Sequence, residues 1–291
     1  MKLSKNKLAL AIVGAAAIGV ASLGTAGIST TKHNLGGADT TKNRVTAGGS
    51  NSEICVFCHT PHGSDTSAPV PLWNKQLNTS LSAYQTYDQL GTSSLDGAVA
   101  SVGSVSLACL SCHDGTQAMD NIINAPGSGG YDATGGGAAG LGFTWADGSS
   151  AQSTPNTDGV LGGTGATLTG ISTLGVDLRN DHPVGIPYCG GGLYNGGAGT
   201  GTCKDLDFKT TTVDSAPVNG VNVFWVETGV ADSGRQSTDI PLYTRKTTEA
   251  SISTEEMFVE CASCHDPHSS EVTFLRISNT SSAVCLACHD K

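Results

Sequence analysis

Large apolar side chains are scarce in this chain. Leu, Ile, Val and Phe together number 59 of 291 residues, aromatic residues make up 5% and charged residues 14%. Setting aside residues 1–26, treated below, leaves 51 of 265 (about 19%), a level at which disorder is the usual outcome when net charge is also high. The formal charge of −10 is moderate, so simple acidic disorder does not account for the composition, and something other than side chains is expected to fill the core. Cations are few, 15 Lys and Arg against 25 Asp and Glu. That excludes a nucleic-acid partner, because phosphate binding needs clustered positive charge. Methionine is nearly absent, with only Met119 and Met257 beyond Met1. No stretch after residue 26 is long and apolar enough to span a bilayer.

The N-terminus has the character of a secretory signal. Lys2, Lys5 and Lys7 precede an apolar run from Leu8 to about Leu23, and small residues follow through Ala26. The expected mature chain is 27–291, exported and soluble. Losing three Lys and no acid changes its balance to 12 minus 25, or −13. The first Cys is Cys55, too far from the cleavage point for a lipoprotein anchor.

Eight of the ten Cys fall into four copies of one pattern: Cys55-Val-Phe-Cys58-His59, Cys109-Leu-Ser-Cys112-His113, Cys261-Ala-Ser-Cys264-His265 and Cys285-Leu-Ala-Cys288-His289. C-x-x-C-H is the attachment motif of c-type haem. Two thiols add across the haem vinyl groups, and the adjacent His then reaches the iron from one face. A zinc ribbon also uses paired C-x-x-C segments, here separated by 20 residues between Cys264 and Cys285. Exported proteins also use Cys in disulfide frameworks. Neither alternative explains a His after the second Cys of every pair. The expectation is four covalently bound haems c, with His59, His113, His265 and His289 as proximal ligands.

Four histidines remain, His33, His62, His182 and His268, one for each iron. Bis-histidine ligation follows as the expected state, with lower potentials than a Met ligand would give. His62 and His268 each lie three residues after a proximal His, with a stiff Pro between. That makes a poor path around the macrocycle, so each is expected to serve a different haem from its neighbour's. Sequence distance then suggests His268 for the haem of Cys285 and Cys288, His33 for the first haem and His182 for the second. His62 is left for the third.

Residues 127–201 hold 23 of the 39 Gly, a linker-like composition. Cys189 and Cys203 sit within and beside this stretch and are expected to form a disulfide in an oxidising compartment, which makes it an ordered surface excursion. Val221–Thr228 reads as a short strand pairing with Ile240–Arg245. Short helices are expected at Ser106–His113 and Thr254–His265, the latter N-capped by Ser253 or Thr254 with Glu256 in its first turn. The predicted fold is a mostly irregular, loop-rich multihaem cytochrome: one domain, 27–291, with short helices, a few short strands and a core of four stacked haems.

The opening Ile-Cys-Val-Phe-Cys-His-Thr-Pro-His, the Cys-Leu-Ser-Cys-His-Asp-Gly segment and the doubled motif ending in Cys-Leu-Ala-Cys-His resemble multihaem outer-surface cytochromes of metal-reducing bacteria. They are most similar to the tetrahaem OmcE-type cytochromes, which polymerise into filaments carrying a continuous haem chain. The resemblance covers roughly residues 33–125 and 176–291. It implies a homopolymer in which one distal His comes from the neighbouring subunit, here His62 reaching the third haem. It also implies extracellular electron transfer, supplied by periplasmic or outer-membrane cytochromes and delivered to an external acceptor such as a metal oxide or another cell. The residues alone leave open a monomeric periplasmic shuttle and a multihaem reductase with one five-coordinate iron. Four bis-histidine irons would disfavour the reductase, since no coordination position stays open.

Overall fold

The structure, a computed structural model, describes residues 27–36, 44–45, 53–77, 84–91, 97, 99–117, 122–128, 130–133, 143–144, 173–181, 184–195, 199–229, 234–246 and 255–290. The candidate signal segment, Met119, His182 and much of the Gly-rich stretch lie outside these residues.

Its largest regular element is an antiparallel five-stranded sheet. Strands β1 (Arg44–Val45) and β2 (Phe143–Thr144) form a separate two-residue ribbon. The sheet proper is built from β3 (Ile186–Pro187), β4 (Val213–Val218), β5 (Val221–Val226), β6 (Ile240–Lys246) and β7 (Glu255–Val259), in the order β3-β7-β6-β5-β4. β4 and β5 form a hairpin whose two turn residues, Asn219 and Gly220, both take positive φ (51° and 81°), as an Asn-Gly turn between twisted strands favours. β5 pairs with β6 through Phe224 opposite Leu242 and Val226 opposite Ile240, the pairing that β-branched and aromatic content suggested.

Residues 255–259 are a strand where a helix was expected. Glu256, Met257 and Phe258 are all buried, and Tyr243 to Lys246 of β6 line up with 255–258. Glu256 turns inward because its carboxylate accepts the Gly192 backbone N–H at 3.0 Å, so it is not an exposed first-turn acid. The helix begins later, as α2 (Cys261–Cys264), behind Glu260. The other helices are α1 (Ser104–His113) and α3 (Ala283–Cys288), so each of motifs two, three and four lies on or at the end of a helix.

Apolar side chains collect into two main clusters, each beside an end of the motif series. One gathers Trp73, Tyr84, Leu107, Leu110 and Leu178, with Cys58 packed against it. The other gathers Tyr188, Phe224, Val226, Leu242, Met257 and the Cys189–Cys203 disulfide, with Phe208 and Cys288 against it. Full burial of each such side chain contributes about 1.5–3 kcal/mol. The disulfide closes part of the Gly-rich stretch into this cluster. At Gly201 a Cβ would run into the backbone of Gly192 and Leu193, so Gly there permits a close chain crossing that a side chain would block.

Candidate functional site

Three of the four proximal histidines are held by the same backbone device. Each lies opposite one residue of a passing segment in an isolated antiparallel bridge: His59 opposite Trp73, His265 opposite Leu275 and His289 opposite Phe208. In each case the residue after the His donates its N–H to the passing segment, and that segment donates back to the second Cys. Thr60 N–H reaches Leu72 O at 2.8 Å and Asn74 N–H reaches Cys58 O at 2.9 Å. Asp266 N–H to Phe274 O (2.8 Å) and Arg276 N–H to Cys264 O (2.9 Å) repeat this around His265. Asp290 N–H to Asp207 O (3.0 Å) and Lys209 N–H to Cys288 O (2.7 Å) repeat it around His289. Leu72 and Phe274 take positive φ, 57° and 59°, at corresponding points of the first two clamps. His113 is different, since α1 runs through it and its carbonyl accepts Leu174 N–H at 2.7 Å.

These clamps also set which ring nitrogen is free. His59 Nδ1 lies 2.7 Å from the Pro71 carbonyl and His265 Nδ1 lies 2.8 Å from the Thr273 carbonyl. A carbonyl only accepts, so the proton belongs on Nδ1 and Nε2 keeps its lone pair for a metal. Such an outer hydrogen bond fixes the tautomer and plane of a ligating imidazole. His268 Nδ1 stands 3.2 Å from the Asp266 carboxylate. That bond, with backbone hydrogen bonding and Arg276, holds Asp266 down at about 2; the same bond raises His268, against burial and Arg276. Burial, aided by His113, pushes His33 down to about 4, leaving it neutral at physiological pH, as a ligand must be.

The rings come together in two pairs. His33 and His113 have ring centres 6.2 Å apart with planes at 75°, and His59 and His268 have centres 6.3 Å apart with planes at 9°. An imidazole nitrogen sits about 2 Å from a bound metal, so two imidazoles on opposite sides of one iron place their centres about 6 Å apart. Both pairs fit a bis-histidine haem. The partners differ from those that sequence distance suggested: His268 faces motif one, not motif four, and His33 faces motif two, not motif one. The cause is a long-range docking. Gly27 N–H bonds His268 O at 3.1 Å and His33 stacks on Phe274 at 4.1 Å, so the N-terminal segment packs onto the loop after motif three. His62 is exposed; its backbone carbonyl accepts from Thr60 Oγ1 (3.1 Å) and Asn124 Nδ2 (2.8 Å). His182 lies outside the described residues.

Thiols of successive motifs lie near enough to perturb one another. Burial and the neighbouring Cys112 push Cys58 up to about 12. Cys109 is within hydrogen-bonding reach of Cys261, which raises it. Burial, then Cys261 and Cys285, raises Cys264, while burial and Cys264 push Cys288 up to about 12. None of the eight is in a disulfide, and no three His, Cys, Asp or Glu side chains among the described residues converge on one point as zinc requires.

Several contributing residues carry no motif. Glu260, 2% exposed, joins motifs two and three: its Oε2 accepts from Ser106 Oγ at 2.6 Å and Gly103 N–H at 3.3 Å, and Arg245 lies 3.4 Å from Oε1. Burial raises this carboxyl, against the pull of Arg245, Ser106 and Gly103. A Cβ on Gly103 would overlap that carboxylate. Arg245 also bonds Ser101 O at 2.6 Å and lies 4.1 Å over the Phe258 ring. Asn74, fully buried, ties motif one to the 123–125 segment: Nδ2 donates to Val56 O and to Asn124 O (2.9 Å), and Oδ1 accepts Asn124 N–H (2.8 Å). A capping logic could have found Glu260; nothing in Leu-Trp-Asn-Lys-Gln marks Asn74.

A family model described as the doubled CXXCH motif matches residues 255–291. The chain thus carries the paired attachment motif of multihaem c-type cytochromes, which indicates covalently bound haem c and points to electron transfer. No curated protein matches the chain. No helix among the described residues is long and apolar enough to cross a membrane.

Proposed function

We propose that this protein is an exported tetrahaem c-type cytochrome that polymerises and carries electrons along its haems to an acceptor outside the cell. The observation that supports it most is the pair of ring separations, 6.2 Å for His33 and His113 and 6.3 Å for His59 and His268. Bound haem supplies a one-electron iron couple, and imidazoles on both faces leave it no open coordination position. Cys55 and Cys58, Cys109 and Cys112, Cys261 and Cys264, and Cys285 and Cys288 hold the four groups as thioethers. His59 and His268 hold the first iron, and His113 and His33 the second. The nearness of Cys58 to Cys112, Cys109 to Cys261 and Cys264 to Cys285 and Cys288, close enough for each to perturb the other, favours an unbroken series in motif order.

His62 and His182 remain for the irons of His265 and His289. His62 is exposed on a backbone held from two sides, which suits a ligand offered to another chain. The resemblance to filament-forming cytochromes assigns it to the motif-three iron of the neighbouring subunit, which leaves His182 for motif four. Mass spectrometry of the secreted protein is expected to find four haems, and electron micrographs to find filaments. His62→Ala should keep all four haems, lose the filaments and leave one high-spin iron. Filaments of His62→Ala with every iron low-spin would overturn the crossing ligand. Wild-type protein that stays monomeric would favour the periplasmic shuttle.

A further inference from the structure

We propose that Phe208 and the Cys189–Cys203 disulfide are positioning residues for the motif-four haem, holding the plane and reach of the His289 imidazole through the segment 205–209. This rests on the tetrahaem reading above and adds a part of the chain that no haem motif includes.

The observations form one continuous path. Cys189 and Cys203 are bonded and buried in the cluster that Phe208, Ala287 and Cys288 pack against. Two residues beyond Cys203, Asp205 N–H returns to Cys189 O at 2.9 Å, so the covalent link fixes where the segment departs. Asp207 O and Lys209 N–H then form the clamp on motif four, and the Lys209 ammonium donates to Leu286 O at 2.5 Å within α3. Between them the Phe208 ring lies 4.1 Å from the His289 ring at 51°. Tyr188, adjacent to Cys189, closes the path. Its ring meets Phe208 edge-on at 5.1 Å and its hydroxyl donates to Lys209 O at 2.6 Å.

The other two clamps need no such link. Their passing segments, around Trp73 and Leu275, return to the proximal His within the same local stretch of chain. The segment at 205–209 comes instead from 80 positions before His289, with Gly-rich chain upstream of it. An untied segment of this kind would bring Phe208 to His289 only part of the time, because its free chain entropy opposes the bridge. The disulfide removes that freedom, so the state of one bond is read out at one iron.

The test uses the full-length protein with its haems. Cys189→Ser with Cys203→Ser, and separately Phe208→Leu, are compared with Phe208→Tyr by haem-counting mass spectrometry, electron paramagnetic resonance and potentiometric titration. The expected result is four covalent haems throughout, with one of the four ferric signals and one of the four potentials shifted in the first two variants and restored in Phe208→Tyr. Four unchanged signals in both variants would overturn the proposal. A shift spread over all four haems would also overturn it, by marking a general loss of structure. Phe208→Leu keeps the test open if the Cys variant does not fold. A wild-type count other than four haems would contradict the tetrahaem reading itself.

Discussion

The imidazoles of His59 and His268, 209 positions apart in sequence, face each other with centres 6.3 Å apart and planes within 9° of parallel. Each ring is oriented by an Nδ1 hydrogen bond, His59 to the Pro71 carbonyl and His268 to the Asp266 carboxylate. The second pair, His33 and His113, has nearly the same separation but planes crossed at 75°.

That contrast has a spectroscopic consequence. Near-parallel imidazoles on low-spin ferric iron split its d orbitals rhombically, whereas near-perpendicular ones leave them close to degenerate. The oxidised protein should therefore show one rhombic signal and one strongly anisotropic signal from these two irons. His268→Ala should remove the rhombic one and His33→Ala the anisotropic one. Loss of the same signal from both variants would contradict the pairing.

The assignment of His268 to motif one separates the structure from the expectation based on sequence distance. His268→Ala should create a high-spin iron that vanishes when Cys55→Ser and Cys58→Ser remove the first haem. It should persist when Cys285→Ser and Cys288→Ser remove the fourth. The reverse outcome would restore His268 to motif four.

The attachment motif was legible in the sequence because it is local: two thiols and an imidazole within five residues mark covalent haem c. The pairing of the His33 and His113 rings and of the His59 and His268 rings was not, because it depends on residues 27–36 docking on the loop after His265, a contact between segments more than 200 residues apart. The strand Val221–Val226 and its partner Ile240–Lys246 announced themselves by β-branched and aromatic content, whereas the Asn219-Gly220 hairpin to β4 was not anticipated. β7 did not, because the inward turn of Glu256 toward Gly192 N–H is a tertiary event. Glu260 could be read as a cap of the motif-three helix, but its tie to motif two appears only once Ser106 and Gly103 are beside it.

Asn74 ties three backbone groups together beside motif one. Asn74→Ala leaves buried amide and carbonyl groups without partners, which should cost about 2–3 kcal/mol and lower the melting temperature by roughly 5–10 °C. Calorimetry of the haem-loaded variant checks this, and a change under about 0.5 kcal/mol, as at an ordinary surface site, would contradict the network's role.

Glu260 gives the protein a pH dependence of definite sign. Burial raises its carboxyl above the ordinary 4.5. From about that pH up to its raised native value, the folded protein keeps a proton that the unfolded chain has released. Stability should therefore fall as pH rises through this window. Glu260→Gln, which cannot titrate, should flatten that slope. Denaturant titrations across the acidic range measure it, and an equal slope in the variant would assign the dependence elsewhere.

A cryo-EM map of the haem-loaded protein tests the central claim most directly. The account predicts four haems in motif order, the first iron between His59 and His268, the second between His113 and His33, and His62 of one subunit on the motif-three iron of the next. A map with fewer haems, or with His268 on the iron of His289, would contradict it.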